Sequence, residues 1–180
     1  MSGPDKVMLI RHAEKPVDST AGVSEDGSTD KHSLIVRGWQ RAGALVAFFA
    51  KPAQPGIAVP ATIFASTTTD DPSVPSEEAK SLRPQETVAP TAAKLGIAVN
   101  ATVAVGNEPA LIGLLQASSG VCLVAWEHKH IPIIAGGFVE NPPPWGDRFD
   151  AVWVLDRQAG GQYALTVVNQ DLLVGDLAPP

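Results

Sequence analysis

Four side chains stand where a parallel sheet would present chemistry: Arg11, His12, Arg83 and His128. The apolar run Val7-Met8-Leu9-Ile10 ends in the pair Arg11-His12, and Pro16 follows shortly after. Such a run reads as a buried strand of a parallel sheet. In open α/β sheets ligands sit just beyond the carboxyl ends of strands. Arg11 offers a planar fork of donors suited to phosphate or carboxylate. The imidazole of His12 is able to serve as base, nucleophile or metal ligand. Arg83 opens a helix after a second apolar run, and His128 lies two residues beyond a fourth, Val121 to Trp126. Converging on one crevice, two guanidinium groups and two imidazoles describe a phosphate pocket. Phosphoryl transfer asks mainly for positioning and charge stabilisation, which this set supplies.

The surrounding punctuation predicts the elements that carry these residues. Lys6 to Ile10 is the first strand, and the polar stretch Asp18 to His32 is loop. Trp39, Ala42, Leu45, Val46 and Phe49 give Arg37 to Lys51 one apolar helical face, closed by Pro52 and Pro55. Ala61 to Ala65 is a second strand, and Ser66 to Lys80 is polar again. A helix starts near Leu82 with Ser81 as its cap and Pro84 in its first turn, and it ends at Leu95-Gly96. Pro90 predicts a kink there, or a later start. Ile97 to Val99 is a third strand, Glu108 to Ala117 a helix, Val121 to Trp126 the fourth strand, and His130 to Phe138 a further helix. Ala151 to Leu155 and Tyr163 to Val168 form an antiparallel hairpin around Gly160-Gly161. The expected architecture is a three-layer α/β/α sandwich, mostly parallel with one antiparallel strand, as one domain over 1–180.

Composition narrows the function classes. A net charge of -6 over 180 residues argues against general nucleic-acid binding and obliges any anionic ligand to find a local cationic pocket. The single Cys122 lies in an apolar run and reads as an inert buried thiol. No signal-peptide pattern and no run of membrane-spanning length is present, so the expectation is a cytoplasmic protein with no membrane partner. His128 and His130 share metal-ligand spacing but have no matching Cys or Asp cluster, so no metal and no cofactor is expected.

In order along the chain, these elements resemble the histidine phosphatase superfamily, whose fold is shared with cofactor-dependent phosphoglycerate mutases. Leu9-Ile10-Arg11-His12-Ala13-Glu14 is similar to its Arg-His-Gly-Glu signature, with Ala13 in place of glycine. Leu34 to Ala42 matches its Leu-Thr-x-x-Gly element. Ile63-Phe64-Ala65-Ser66 and Ser81-Leu82-Arg83-Pro84-Gln85-Glu86-Thr87 match its strand, serine and second arginine, and Val121 to His128 its second histidine. The resemblance spans Val7 to about Asp176.

It implies a phosphatase acting on phosphomonoesters or phosphoramidates through a phosphohistidine on His12. Arg11 and Arg83 would hold the phosphoryl oxygens, and His128 would add a hydrogen bond or charge. The substrate would be a small phosphorylated compound or a phosphohistidine protein. A mutase and a non-catalytic phospho-ligand domain are the alternatives. Two departures bear on mechanism. Ser66 and Arg83 are separated by an extra polar stretch, so either Ser81 replaces Ser66 or residues 67–80 cover the pocket. One branch of the family places its general acid directly after the second histidine, where this chain has Lys129. Another uses a glutamate after the second-arginine helix, for which Glu108 is the candidate, with Glu14 and Glu127 as alternatives.

Overall fold

The structure, a computed structural model, describes residues 3–178. Its centre is a six-stranded sheet: β1 (Lys6–Arg11), β2 (Thr62–Ala65), β3 (Val99–Asn100), β4 (Val121–Trp126), β5 (Ala151–Arg157) and β6 (Tyr163–Asn169), in the order β3-β2-β4-β1-β5-β6. β1 pairs in parallel with β4, and β2 in parallel with β3 and β4. β5 is antiparallel to both β1 and β6, so it alone runs against the others. The expected sheet therefore stands, with the third strand, expected over Ile97 to Val99, found at Val99–Asn100.

Successive side chains of a strand point to opposite faces, and the core divides accordingly. Val7 and Leu9 face one side with Leu111, Leu115, Ile131 and Ile134, from α4 (Glu108–Ala117) and α5 (Ile131–Gly136). Met8 and Ile10 face the other with Leu45, Phe49, Val88 and Ala92, from α1 (Val36–Ala50) and α3 (Arg83–Leu95). Each buried side chain of this size contributes roughly 1.5–3 kcal/mol. β1, like β4 beside it, is buried along nearly its whole length, so the strand that delivers Arg11 and His12 is firmly held.

Three local differences from the sequence expectation have physical reasons. α3 runs unbroken through Pro90. The missing hydrogen bond of a helix-interior proline costs about 3 kcal/mol, which the burial of Val88, Thr91 and Ala92 on the same helix offsets. Ser81 does not cap α3: no side-chain cap bond forms there, and its Oγ has no partner. Within the stretch 66–80, a short helix α2 (Ser76–Ala79) forms. It is too short to leave a periodic signal. Among the described residues, no helix is long and apolar enough to cross a membrane.

Gly38 shows why a glycine belongs at the start of α1. A Cβ there would meet the Glu14 carbonyl oxygen at 2.6 Å and the Glu14 nitrogen at 3.1 Å. The first turn of α1 thus packs directly on the backbone that follows His12. Ala13, by contrast, has no positive φ and packs its methyl with Leu34 and Ala42, so glycine is not required there.

Candidate active site

The carboxyl ends of β1, β2 and β4 open onto a small cavity of about 50 Å³. His12, Ser66, Ser81, Arg83 and Glu127 line it, with Lys15, Lys129 and the α2 residues Glu77 and Glu78. The stretch 67–80 therefore reaches over the pocket, and both serines, Ser66 and Ser81, face it.

His12 is held in one tautomer. Its backbone N–H donates to the Trp126 carbonyl (3.0 Å), continuing the β1–β4 ladder. Its Nδ1 lies 2.8 Å from the Ala13 carbonyl oxygen. A carbonyl only accepts, so Nδ1 carries the proton and Nε2 keeps its lone pair. Burial pushes the imidazole pKa well below its usual value, and the charges of Arg83 and Arg11 add to this. The ring is neutral near pH 7, the state a nucleophile needs.

Arg83 is buried, and among the described residues no carboxylate forms a salt bridge with it. Its Nη1 and Nη2 donate to the carbonyls of Lys31 (3.3 Å) and Glu77 (3.2 Å), while its buried Nε has no partner. Burial lowers its pKa, though a guanidinium remains cationic. Arg11 is also buried. Its Nη1 donates to the exposed Asp147 (3.0 Å), its guanidinium carbon stands 3.8 Å over the Phe149 ring, and its Nε too is unpaired. Arg11 acts on the His12 field without lining the cavity itself.

His128 also sits beside the cavity without lining it. Its Nδ1 stands 2.6 Å from Glu127 Oε1 without the alignment of a hydrogen bond. Burial, then Arg11, lower its pKa. His12, Arg11, Arg83 and His128 thus gather at one end of the sheet, and Glu108 does not join them. Glu108 Oε1 accepts from Trp126 Nε1 (3.0 Å) and the Gly106 N–H (2.9 Å), and stands 3.0 Å from His130 Nδ1. Those donors outweigh burial and hold its carboxyl at about 2. A carboxylate so fixed has no proton to give near neutral pH, and it does not line the cavity.

Glu14 is turned away as well. Arg41 contacts both its oxygens (2.8–3.1 Å), and Arg37 Nε donates to Oε1 (3.2 Å). Glu127 stays at the cavity wall, with Oε2 accepting the Lys129 N–H (2.7 Å). Glu78, Glu127 and His130 bring ligand-type atoms within 4.8 Å of one another. Lys129 Nζ, however, sits 3.1 Å from Glu78 Oε1, so an ammonium already occupies that carboxylate.

One positioning residue carried only a motif signal in the sequence. Thr87 Oγ1 accepts the Ala13 N–H (2.8 Å) and donates to the Arg83 carbonyl (2.7 Å). A single hydroxyl thus sets the His12 backbone against the helix that carries Arg83.

No family model matches the sequence, and no curated protein matches it. Solved structures do match. The protein histidine phosphatase SixA complexed with tungstate superposes with a TM-score of 0.58 at 14% identity, over 92% of this chain and 97% of that one. A mycobacterial glucosyl-3-phosphoglycerate phosphatase gives 0.58 at 13%, over 92% and 98%. The alpha-ribazole phosphatase of Shigella flexneri gives 0.56 at 13%, over 91% and 96%. The shared architecture and the sheet-end arrangement lead to one conclusion: the chain has the phosphoglycerate mutase-like fold found in these histidine phosphatases.

Proposed function

We propose that the protein is a phosphatase that hydrolyses phosphomonoesters or phosphoramidates through a phosphohistidine on His12. The observation that carries this reading is Arg83: a buried guanidinium with an unpaired Nε, no carboxylate in salt-bridge contact, and a place on the same cavity wall as a neutral imidazole. A buried charge without a counter-ion in contact is costly, and such a site persists where a ligand of opposite charge completes it. A tetrahedral oxyanion is that ligand. SixA and the mycobacterial phosphatase, structures of the same fold, were solved with tungstate and VO3 respectively.

His12 Nε2 attacks phosphorus and Arg83 holds the non-bridging oxygens, joined by Arg11 once it turns from the exposed Asp147. His128 stabilises the charge that develops on them. Water then opens the phosphohistidine and restores the imidazole. The cations are side chains, so the reaction needs no metal. The cavity, at about 50 Å³, takes little more than the phosphoryl group, so the rest of the substrate lies outside it or displaces α2. Small phosphorylated compounds and phosphohistidine proteins both satisfy this geometry.

The test is to trap the intermediate. Brief mixing with a radiolabelled aryl phosphate and alkaline quenching should leave label on the protein that is stable to base and released by acid, and the His12→Ala protein should carry none. Turnover by the intact protein with no label on His12, or label on another residue, would overturn the assignment.

A further inference from the structure

The cavity holds three carboxylates, and one of them faces an imidazole whose other nitrogen stands against a buried carboxylate. Glu127 accepts the Lys129 N–H at Oε2, and its Oε1 stands beside His128, out of hydrogen-bond alignment and next to a ring that burial and Arg11 push toward the neutral form. Glu77 is exposed on α2 and offers its backbone carbonyl to Arg83. Glu78 has a side chain only 12% exposed, accepts from Lys129 Nζ at Oε1, and presents Oε2 3.6 Å from His130 Nε2. The opposite nitrogen of that ring, Nδ1, stands 3.0 Å from the buried Glu108, in ion-pair range though not aligned as a hydrogen bond. Glu108 is itself fixed by Trp126 and Gly106. Glu108, His130 and Glu78 therefore form a line from the core to the cavity: carboxylate, imidazole, carboxylate.

We propose that Glu78 delivers the proton to the leaving group and that His130, backed by Glu108, is the positioning residue that supplies it. The assignment rests on the phosphatase reading above and goes beyond it, because it places the acid on α2, an element none of the matched motifs contains. Carboxylate–imidazole–carboxylate chains suit the task. An anion at Nδ1 favours the protonated ring, and Nε2 then lies on the side of the carboxylate that faces the cavity. Four groups face His130: Glu108 from α4, Glu78 from α2, Glu127 at the end of β4, and the adjacent Lys129. The three carboxylates together raise its pKa, with Glu108 first. The gap of 3.6 Å closes to hydrogen-bond range by a small rotation or through one water.

The balance of the step is simple. His12 Nε2 forms a bond to phosphorus as the bond from phosphorus to the leaving oxygen breaks. That oxygen takes the electron pair and a proton that passes from His130 Nε2 through Glu78 Oε2, while Lys129 holds Oε1. In the second half, water attacks phosphorus and the histidine–phosphorus bond breaks. The proton of that water returns through Glu78 to His130. The substrate class follows: leaving groups that need a proton, such as alkyl alcohols, fall within reach of this site.

The experiment compares ethyl phosphate with 4-nitrophenyl phosphate. An alkoxide needs protonation and a nitrophenolate scarcely does. Glu78→Gln should slow the alkyl ester about 10²–10⁴-fold and the aryl ester less than about tenfold, which also shows that the variant folds. His130→Gln should slow the alkyl ester and abolish the decline of its kcat/KM as pH rises through the raised His130 pKa. Equal losses on both esters, or no loss on the alkyl ester, would overturn the proposal. So would activity removed by a chelator and restored by a divalent cation, which would assign Glu78, Glu127 and His130 to a metal. A wild-type protein that turns over neither ester and forms no phosphohistidine overturns the phosphatase reading, and this proposal with it. Aryl turnover through His12 with unselective Glu78→Gln losses removes this proposal alone.

Discussion

Arg41 and Arg83 are both buried arginines on helices that pack on the same face of the sheet, yet their surroundings are opposites. Arg41 spends every nitrogen: Nε on Glu14, Nη1 on Gln170 and Asp176, Nη2 on Glu14 and Asp176, at 2.8–3.1 Å. Its pKa is raised despite burial. Arg83 has two carbonyls, an idle Nε and a lowered pKa. The first arginine ties the strand-end Glu14 to a segment near the carboxyl terminus and is complete in the folded chain. The second is left incomplete, and that incompleteness marks the ligand site. A buried arginine does not by itself indicate function; the state of its donors does.

The largest expected effect belongs to the incomplete region. His12→Ala should reduce turnover of an aryl phosphate to background while the protein stays folded, since His12 sits at a strand end beside a cavity already present. Turnover and thermal unfolding measured on the same sample check this, and retained turnover in a folded variant would mean that another group attacks phosphorus.

Arg41→Ala and Arg83→Ala should then separate cleanly. Removing Arg41 leaves Glu14 and Asp176 with only the half-buried Arg37 as their cation, a loss of about 3 kcal/mol of stability, read by denaturant unfolding. Removing Arg83 should cost little stability or raise it. Its cost should fall on the reaction, at about 2–4 kcal/mol of transition-state binding, or roughly 30- to 1000-fold in kcat/KM. Arg83→Lys should recover only part, because lysine lacks the fork. Phosphate should raise the melting temperature of wild type and of any folded Arg41 variant, but not of Arg83→Ala. A stability loss in Arg83→Ala equal to that in Arg41→Ala would erase the distinction.

Acid should find the two regions at different pH. His12 is buried neutral with its pKa lowered from 6.5, so the unfolded chain binds the proton more readily. The stability it contributes is complete above about pH 6.5 and is lost progressively as pH falls below it. Asp176 is held at about 2 against an ordinary 3.8, so its contribution persists until pH falls through that lower window. Unfolding free energy measured against pH should show both declines, and His12→Ala should shrink only the upper one, of which His128, its pKa also lowered by burial, keeps a share.

Much of the incomplete region was legible in the sequence, because a strand followed at once by Arg11-His12 or His128 places those groups by local order alone. The completing partners were not legible. Arg41 meets Glu14 across 27 positions and Asp176 across 135, contacts that exist only once helix and terminal segment have docked. Glu108 reads well as a first-turn helix acid, but Trp126 and His130 converge on it from β4 and the start of α5. Glu78 was hidden because a four-residue helix among Ser, Thr, Asp and Pro has no periodicity to detect.

The smallest effect, and the sharpest test of how the regions are joined, concerns Thr87. Its hydroxyl is the single link between the Ala13 N–H and the Arg83 carbonyl. Thr87→Val keeps the shape and leaves that buried N–H unpaired, at about 1–3 kcal/mol. For a chain of this size each kcal/mol lowers the melting temperature by roughly 2–4 °C. Turnover should fall as well, because His12 and Arg83 lose their common registration. Thr87→Ser restores a hydroxyl and should recover both quantities together. A Val variant that loses stability but keeps full kcat would show that β1 and α3 each hold their catalytic side chain independently, with Thr87 only filling the space between them.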